Sequence, residues 1–352
     1  MPRRSPMRYT KVFLESIGYE LAPVVVTTRE LEDRLAPLYE VLRIPPGHVE
    51  AMTGIHERRW WEEGFELSEG AISAARKALA AASVAPRSVE VLIYAGVCRE
   101  QMEPATACRV AAALGVSPEC AVYDISNACL GVLNGILDVA NRIELGQIRS
   151  GLVVTCESAR EINEITIDRM LEARSMETFV ASLATLTGGS GAAAVLLTDG
   201  SFSETRRRQL LGGVACTAPE RHGLCRWGFV PRGDLFSQLM TTDSVSVLKH
   251  GVELGLRTWE AFLRVVGWSR SQVDKVICHQ VGSGHRTSIL ERLGIPVERD
   301  YATFPYLGNM GTVSLPLTAA IAEARRFLKA GDRVGFLGIG SGLNCLMLGL
   351  EW

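Results

Sequence analysis

An internal duplication is the feature of this sequence that most limits the folds open to it. A helical pattern that starts at residue 70 leads into the apolar segment 89–97, and the same succession runs from residue 251 into the segment 273–281, 184 residues later. The turns at 189–191 and 340–342 both read Gly-Ser-Gly, and both open an apolar segment. So long a period does not describe a solenoid. It predicts two similar α/β halves, each alternating strands with helices around a largely buried sheet.

The two halves meet in a polar stretch at 199–208. We therefore expect a first domain at 1–205, which holds the candidate nucleophile described below, and a second domain at 206–352, which holds a candidate histidine and asparagine. Ligands of open α/β sheets bind beyond the carboxyl ends of the strands. A cleft between two such sheets is the expected place for a site.

Composition and charge argue against several classes of protein. The chain of 352 residues is 47% hydrophobic and 22% charged, as is ordinary for a globular protein with a large core. Its net charge of −2 argues against a general role on nucleic acid or on a membrane surface. The nine cysteines are odd in number and lack metal-ligand spacing, which favours a reducing compartment. We expect a cytoplasmic protein with neither a secretory leader nor a membrane span.

Cys129 is the strongest candidate for a nucleophile. It lies between a short apolar segment that predicts a strand and the segment 130–145, whose periodicity predicts an amphipathic helix with Gly146 just beyond its end. The start of a helix presents unpaired backbone N–H groups and the positive end of the helix dipole. This setting favours a thiolate, the nucleophilic form of cysteine. The alternative is a small apolar residue of the core.

The duplication brings two further candidates to the place of Cys129. If Gly131 corresponds to Gly311, Cys129 lies opposite Asn309. His279 lies at the carboxyl end of its predicted strand, where α/β proteins place their chemistry. A thiol, an imidazole and an amide would supply a nucleophile, an acid/base or hydrogen-bond donor, and a carbonyl polariser. A buried core histidine and an ordinary turn asparagine are the alternatives.

The turn at 338–342, Gly-Ile-Gly-Ser-Gly, predicts an oxyanion hole. Its backbone N–H groups, including those of Gly340 and Ser341, are expected to pair with the N–H of Cys129 around a developing negative charge. No helical pattern follows this turn, so we reject a dinucleotide-binding role.

These motifs resemble the thiolase superfamily, specifically its ketoacyl-ACP synthase III-like branch. The matching segments are 53–59 (TGIHERR), 127–131 (NACLG), 277–280 (ICHQ) and 308–316 (GNMGTVSLP), and they occur in family order over essentially the whole chain. The resemblance implies a five-layered αβαβα fold, an obligate homodimer and a Cys129-His279-Asn309 triad that forms an acyl-enzyme thioester. It implies that the Ser341 amide completes the oxyanion hole and that no metal or redox cofactor is needed.

The residue type at position 103 distinguishes two kinds of enzyme within this branch. In decarboxylating synthases this position is usually apolar and enters the partner subunit's acyl pocket, whereas here Glu103 resembles the glutamate of enzymes that join two fatty acyl-CoAs head to head in bacterial olefin biosynthesis. The run 337–345 resembles the same enzymes. A malonyl nucleophile creates its own carbanion by losing carbon dioxide, but a plain acyl-CoA keeps its α-proton and needs a base. A carboxylate desolvated in a lipid-lined pocket becomes a better base.

The resemblance therefore implies a non-decarboxylative Claisen condensation of two long-chain fatty acyl-CoAs to a 2-alkyl-3-keto acid. Glu103 would be donated to the neighbouring subunit's site, and downstream enzymes of the same pathway are further candidate partners. Three alternatives remain open: a decarboxylating 3-oxoacyl-ACP synthase III that uses malonyl-ACP, a Cys-His-Asn thioester hydrolase, and a non-catalytic partner subunit.

Overall fold

Strands from both halves form the main sheet of this protein. The computed structural model describes residues 7–203, 208–232 and 235–352. Its strands are β1 (Met7–Arg8), β2 (Phe13–Leu21), β3 (Val24–Thr27), β4 (Glu57–Trp60), β5 (Val91–Ala95), β6 (Ala121–Ile125), β7 (Ser150–Glu157), β8 (Gly191–Thr198), β9 (Gln209–Thr217), β10 (Cys225–Arg232), β11 (Leu235–Thr242), β12 (Lys275–Cys278), β13 (Arg333–Gly340) and β14 (Asn344–Glu351). The main sheet runs β12-β13-β14-β9-β2-β8-β7-β5-β6, with β1 paired to β9.

Helices alternate with these strands along the chain. They are α1 (Thr28–Arg34), α2 (Ala36–Leu42), α3 (His48–Thr53), α4 (Leu67–Ala82), α5 (Thr106–Leu114), α6 (Gly131–Glu144), α7 (Arg160–Ala173), α8 (Met176–Ser182), α9 (Ser244–Val266), α10 (Ser283–Leu293), α11 (Phe304–Leu307) and α12 (Ser314–Ala324). Short 3-10 turns occupy Pro86–Ser88, Leu183–Thr187, Pro219–Leu224, Arg270–Gln272, Val297–Arg299 and Gly311–Val313. No helix in the described ranges is long and apolar enough to cross a membrane.

The two sets of strands repeat the same arrangement. The order β2-β8-β7-β5 in the first set matches β9-β14-β13-β12 in the second. In each set the first two contacts are antiparallel and the third is parallel. β6 extends the first set by one more parallel contact. The sets are joined where Phe13 pairs with Gln209. The predicted duplicated α/β halves are thereby confirmed.

Helices α6 and α12 form the middle layer between the two sets of strands. Leu133 and Ile136 of α6 share one buried apolar cluster with Leu315 of α12 and with residues of both sets, such as Val153 and Phe336. Nearly every residue at the start of α12 is buried, as expected of a helix covered on all sides.

The outer faces of the sheet are covered by separate helix pairs. α4 and α5 pack on the first set of strands, and α9 and α10 pack on the second. The five layers are thus helix, sheet, helix, sheet, helix, which confirms the predicted fold class. The predicted boundary between 205 and 206 lies within residues 204–207, outside the described part of the chain, so the division into 1–205 and 206–352 stays a prediction.

Candidate active site

Cys129 lies in a tight turn between β6 and α6. Ala128 has φ 45, a left-handed conformation that costs a non-glycine residue energy and is often kept at functional sites. The turn is closed by the Leu130 N–H, which donates to the Asn127 carbonyl at 2.9 Å, and by the Gly131 N–H, which donates to the Ala128 carbonyl at 3.2 Å. The strand and helix predicted around Cys129 are therefore both present, with the sulfur at their junction.

The thiol of Cys129 is protonated at rest, which contradicts the thiolate expected from the helix start. Burial, the nearby Cys225 and the Glu157 carboxylate, named from the largest effect to the smallest, together raise the pKa of Cys129 to about 12, against a hydrogen bond from its own backbone N–H. The helix start offers less compensation than its position suggests, because the Val132 N–H already donates to the Thr312 hydroxyl at 2.7 Å. Removing water from the sulfur outweighs the favourable dipole.

One cavity of about 690 Å³ opens onto Cys129. Most of its wall is apolar, and Cys129, Asn309 and Ser341 are among the residues that line it. The lining residues are Val97, Ser126, Ala128, Cys129, Glu157, Ser158, Ala159, Ile162, Ala184, Thr185, Thr187, Gly188, Gly189, Cys225, Arg226, Trp227, Gly228, Phe229, Val230, Leu239, Met240, Thr241, Asn309, Met310, Gly311 and Ser341. An apolar pocket with a few convergent polar groups is the usual form of a small-molecule site.

Asn309, which lines this cavity, is held by hydrogen bonds of its backbone and its side chain. Its backbone N–H donates to the Thr187 carbonyl at 2.8 Å, and its carbonyl accepts from the Gly189 N–H at 2.9 Å. Its side-chain oxygen accepts from the Gly311 N–H at 3.0 Å. This last bond uses the acceptor of the amide group and leaves the Nδ2 donors to face a ligand. The preceding Gly308 has φ 67, and a Cβ there would lie 2.5 Å from the Thr187 carbonyl oxygen, so only glycine fits.

Gly340 and Ser341 lie against the nucleophile turn. A Cβ added to Gly340 would lie 3.4 Å from the Cys129 nitrogen, so the backbones approach closely where the oxyanion hole is predicted. The side chain of Asn344 ties the two turns together, because its Nδ2 donates to Asn127 Oδ1 at 3.1 Å and to the Ser341 carbonyl at 3.4 Å.

His279 directly follows β12 and is buried. Its backbone N–H donates to the Leu337 carbonyl at 2.9 Å. Burial, together with a smaller effect of the nearby His285, lowers the pKa of His279 to about 3. The imidazole is therefore neutral at physiological pH and can donate one ring N–H while its other nitrogen accepts. His279 is not among the residues of the described chain that line the cavity wall.

Glu103 lies outside this cavity. It belongs to the loop between β5 and α5, and the four successive residues 101–104 are all exposed. Met102 beside it is 92% exposed. The structure thus brings Cys129, Asn309 and Ser341 to one cavity, leaves His279 buried but outside the residues that line it, and leaves Glu103 at the surface of the chain.

Several parts of the site escaped the sequence analysis. The hairpin β10–β11 supplies Trp227, Phe229 and Met240 to the cavity wall, although it pairs with no other strand of the described chain. Glu157 also lines the cavity. Its position directly after the largely apolar segment 151–156 was the available signal, since a carboxylate at the end of a buried strand is itself buried. No group of three or more His, Cys, Asp or Glu side chains in the described ranges is placed to hold a metal ion.

Two family descriptions match the chain in the order of its halves. "Thiolase, N-terminal domain" matches residues 50–187, and "3-Oxoacyl-[acyl-carrier-protein (ACP)] synthase III C terminal" matches residues 263–352. The fold and the cavity therefore define a thiolase-superfamily enzyme of the synthase III-like type.

Comparison with whole proteins narrows this class. An acyl-CoA:acyl-CoA alkyltransferase of Shewanella oneidensis is 59% identical over 98% of this chain and 100% of its own length. A β-ketoacyl-[acyl-carrier-protein] synthase III of Streptomyces coelicolor is 31% identical over 96% of both chains. A crystal structure of Xanthomonas campestris OleA, a cysteine-to-serine variant with bound lauric acid and lauroyl-CoA, matches with a TM-score of 0.91 and 34% identity over 98% of this chain and 100% of that one. The chain belongs to the acyl-CoA:acyl-CoA alkyltransferase family.

Proposed function

We propose that this chain joins two long-chain fatty acyl-CoA molecules head to head, without decarboxylation, through an acyl thioester on Cys129. The observation that carries the proposal is that Cys129, Asn309 and Ser341 line the same, mostly apolar cavity. The alkyltransferase that is 59% identical over its whole length supports the same activity, and the lauroyl-CoA bound to the related OleA variant supports an acyl-CoA substrate.

In the first half-reaction the Cys129 sulfur attacks the thioester carbonyl of one acyl-CoA. A new sulfur–carbon bond forms, the bond between the acyl carbon and the CoA sulfur breaks, and the thiol proton of Cys129 ends on the departing CoA. The negative oxygen of the tetrahedral intermediate accepts from the backbone N–H groups of Cys129 and Ser341. Because the thiol is protonated at rest, this proton transfer accompanies the attack.

In the second half-reaction a second acyl-CoA binds with its thioester oxygen accepting from His279 and Asn309. A neutral imidazole suits this role, since it donates a hydrogen bond without adding a buried charge. Glu103 from a second copy of the chain removes the α-proton, and the carbanion attacks the acyl group on Cys129. A carbon–carbon bond forms, the Cys129 thioester breaks, and the sulfur recovers a proton. Water then hydrolyses the 2-alkyl-3-ketoacyl-CoA to the β-keto acid and CoA.

The exposed position of Glu103 supports its transfer to a neighbouring subunit. A carboxylate on the surface of one chain contacts no fatty substrate there. When a second copy of the chain covers it, water is excluded from around the carboxylate. We therefore propose a homodimer with two composite sites. The proposed sequence of steps calls on no metal or redox cofactor.

The test is incubation of the purified protein with myristoyl-CoA alone. We expect CoA release together with a long-chain ketone, formed when the β-keto acid loses carbon dioxide, and neither product from the Cys129→Ala variant. Condensation that requires a malonyl thioester would instead identify a decarboxylating synthase. Release of myristic acid without a carbon–carbon bond would identify a thioester hydrolase.

A further inference from the structure

The loop that carries Glu103 is attached at its beginning to a buried carboxylate. Glu157, the last residue of β7, is 4% exposed. Its Oε1 accepts from the Val97 N–H at 2.9 Å, and its Oε2 accepts from the Cys98 N–H at 3.0 Å. These two residues follow Gly96 at the beginning of the loop after β5. Because each carboxylate oxygen takes one of two consecutive N–H groups, the direction of the chain is fixed as it leaves the strand.

A second carboxylate holds the other end of the same loop. Asp124 in β6 accepts from the Thr106 N–H at 3.0 Å and from the Ala107 N–H at 2.9 Å, where α5 begins. β6 and β7 flank β5 on opposite sides. Each neighbouring strand thus anchors one end of the loop through a pair of N–H groups.

Between these anchors the loop is fixed once more and then projects outward. Glu100 accepts from the Ser68 N–H at 2.8 Å. The next four residues, 101–104, are exposed, and they include Glu103. A rigid base with a projecting tip is the arrangement expected of a segment that delivers one side chain to a neighbouring molecule.

Glu157 is too costly to be a plain structural anchor. No Lys or Arg of the described chain forms an ion pair with it, and its two oxygens accept from the backbone N–H groups of Val97 and Cys98. Burial raises the pKa of the carboxyl, and the bonds from the side chain of Cys98 and from the backbone of Val97 and Cys98 oppose that change. A neutral side chain would avoid this cost. A buried charge beside a cavity is a frequent mark of a functional residue.

Glu157 also influences the nucleophile Cys129. It lines the same cavity as Cys129, and its negative charge contributes to the raised pKa of that thiol. A Cβ added to Gly311, which follows the Asn309 turn, would lie 3.5 Å from Glu157 Cγ. One carboxylate therefore lies beside the nucleophile, beside the asparagine turn and at the root of the Glu103 loop.

We propose that Glu157 is a positioning residue that, together with Asp124, sets the loop 96–105 so that Glu103 reaches the α-proton of the second acyl-CoA. This inference rests on the proposed condensation. It assigns Glu157 to the second half-reaction only. Without the Glu157 carboxylate, Cys129 is still acylated, but condensation is slow because Glu103 is no longer held where it can remove the α-proton.

The test compares two amide variants that keep the shape of the side chain. Glu157→Gln and Asp124→Asn each remove a charge and replace one of the two acceptors with a donor. We expect each to lower ketone formation from myristoyl-CoA at least tenfold while Cys129 acylation is retained, as followed by the burst of CoA release. Glu63→Gln, at a side chain that is 92% exposed, is the matched control and should behave as wild type.

Cys129 alkylation separates the two variants. At pH 8 iodoacetamide should label Cys129 several-fold faster in Glu157→Gln, because a negative charge near the sulfur is lost, and at the wild-type rate in Asp124→Asn. The other titratable groups that interact with Glu157 are Tyr94, Cys98 and Cys156, all unchanged in both variants. Because unfolding would also expose Cys129 and speed its alkylation, the comparison is made only if Glu157→Gln keeps the thermal unfolding temperature of the wild-type protein.

Three results would overturn the proposal: wild-type ketone formation in both variants, an equal fall of acylation and condensation, or a fall in Glu157→Gln alone. The last would place Glu157 in the chemistry itself and not behind the loop. If Glu157→Gln does not fold, Asp124→Asn decides the loop's role. Failure of the proposed function is a separate result, because the wild-type protein would then form no ketone.

Discussion

The reactivity of Cys129 toward iodoacetamide should still be rising at high pH. Burial and two neighbouring groups raise the pKa of this thiol from 9.0 to about 12. Since only the thiolate reacts, the change lowers the reactive fraction about a thousandfold at any pH well below both values. We expect the rate constant at Cys129 to climb about tenfold per pH unit from about pH 6.5 to about pH 9.5, with no plateau.

The assay is peptide-resolved mass spectrometry after timed alkylation across this pH range. Cys108 is exposed and supplies an internal reference for the reagent within the same chain. The Cys129→Ala variant confirms the assignment of the labelled peptide. A plateau at Cys129 below about pH 8, or faster labelling of Cys129 than of Cys108 near pH 7, would show a thiolate at rest and refute the argument that desolvation outweighs the helix start.

Three further predictions follow from the same geometry. Mixing Cys129→Ala chains with Glu103→Gln chains should restore about one quarter of wild-type ketone formation. About half of randomly formed dimers are mixed, and in each mixed dimer one of the two sites combines an intact Cys129 from one chain with an intact Glu103 from the other. No recovery would show that Glu103 does not act across the interface. Gly340→Ala places a Cβ 3.3 Å from Leu130 Cγ and 3.4 Å from the Cys129 nitrogen, and it should slow acylation severalfold, because the Cys129 turn must shift by a few tenths of an ångström while its N–H donors remain. The measurements are the CoA burst and thermal unfolding, and we expect Tm to fall by no more than a few degrees. An unchanged burst would remove this turn from the oxyanion hole. Thr312→Val leaves the Val132 N–H unpaired and should lower the free energy of unfolding, measured by urea titration, by about 1–2 kcal/mol. Thr312→Ser keeps the hydroxyl and should not have this effect. Equal stability of the two variants would contradict the role of that hydroxyl.

The fold could be predicted from the sequence because the duplication repeats short local patterns of apolar segments, helical periodicity and glycine turns. The segments 89–97 and 273–281 became β5 and β12, which occupy equivalent places in the two sets of strands. Such segments are recognisable since buried strands read as apolar runs whatever their surroundings. The pairing of Cys129 with Asn309 followed from the same symmetry, and both side chains line one cavity.

The features that the sequence did not predict depend on distant neighbours. The protonation state of Cys129 is decided by how completely water is removed, and no local pattern reports this. The Val132 N–H, one of the backbone groups at the helix start, donates to Thr312, 180 residues away in the chain. The anchoring of the Glu103 loop by Glu157 likewise joins residues 60 positions apart. Long-range hydrogen bonds of single side chains leave no periodic signal.

The central claim is that Cys129 carries a fatty acyl group between the two half-reactions. Brief exposure of the protein to myristoyl-CoA, acid quenching and mass spectrometry of the digested chain test it directly. We predict the mass of one myristoyl group on the peptide that contains Cys129, its removal by hydroxylamine, and no such mass in Cys129→Ala. Ketone formation with an unmodified Cys129 peptide, or with the acyl group on another cysteine, would contradict the account.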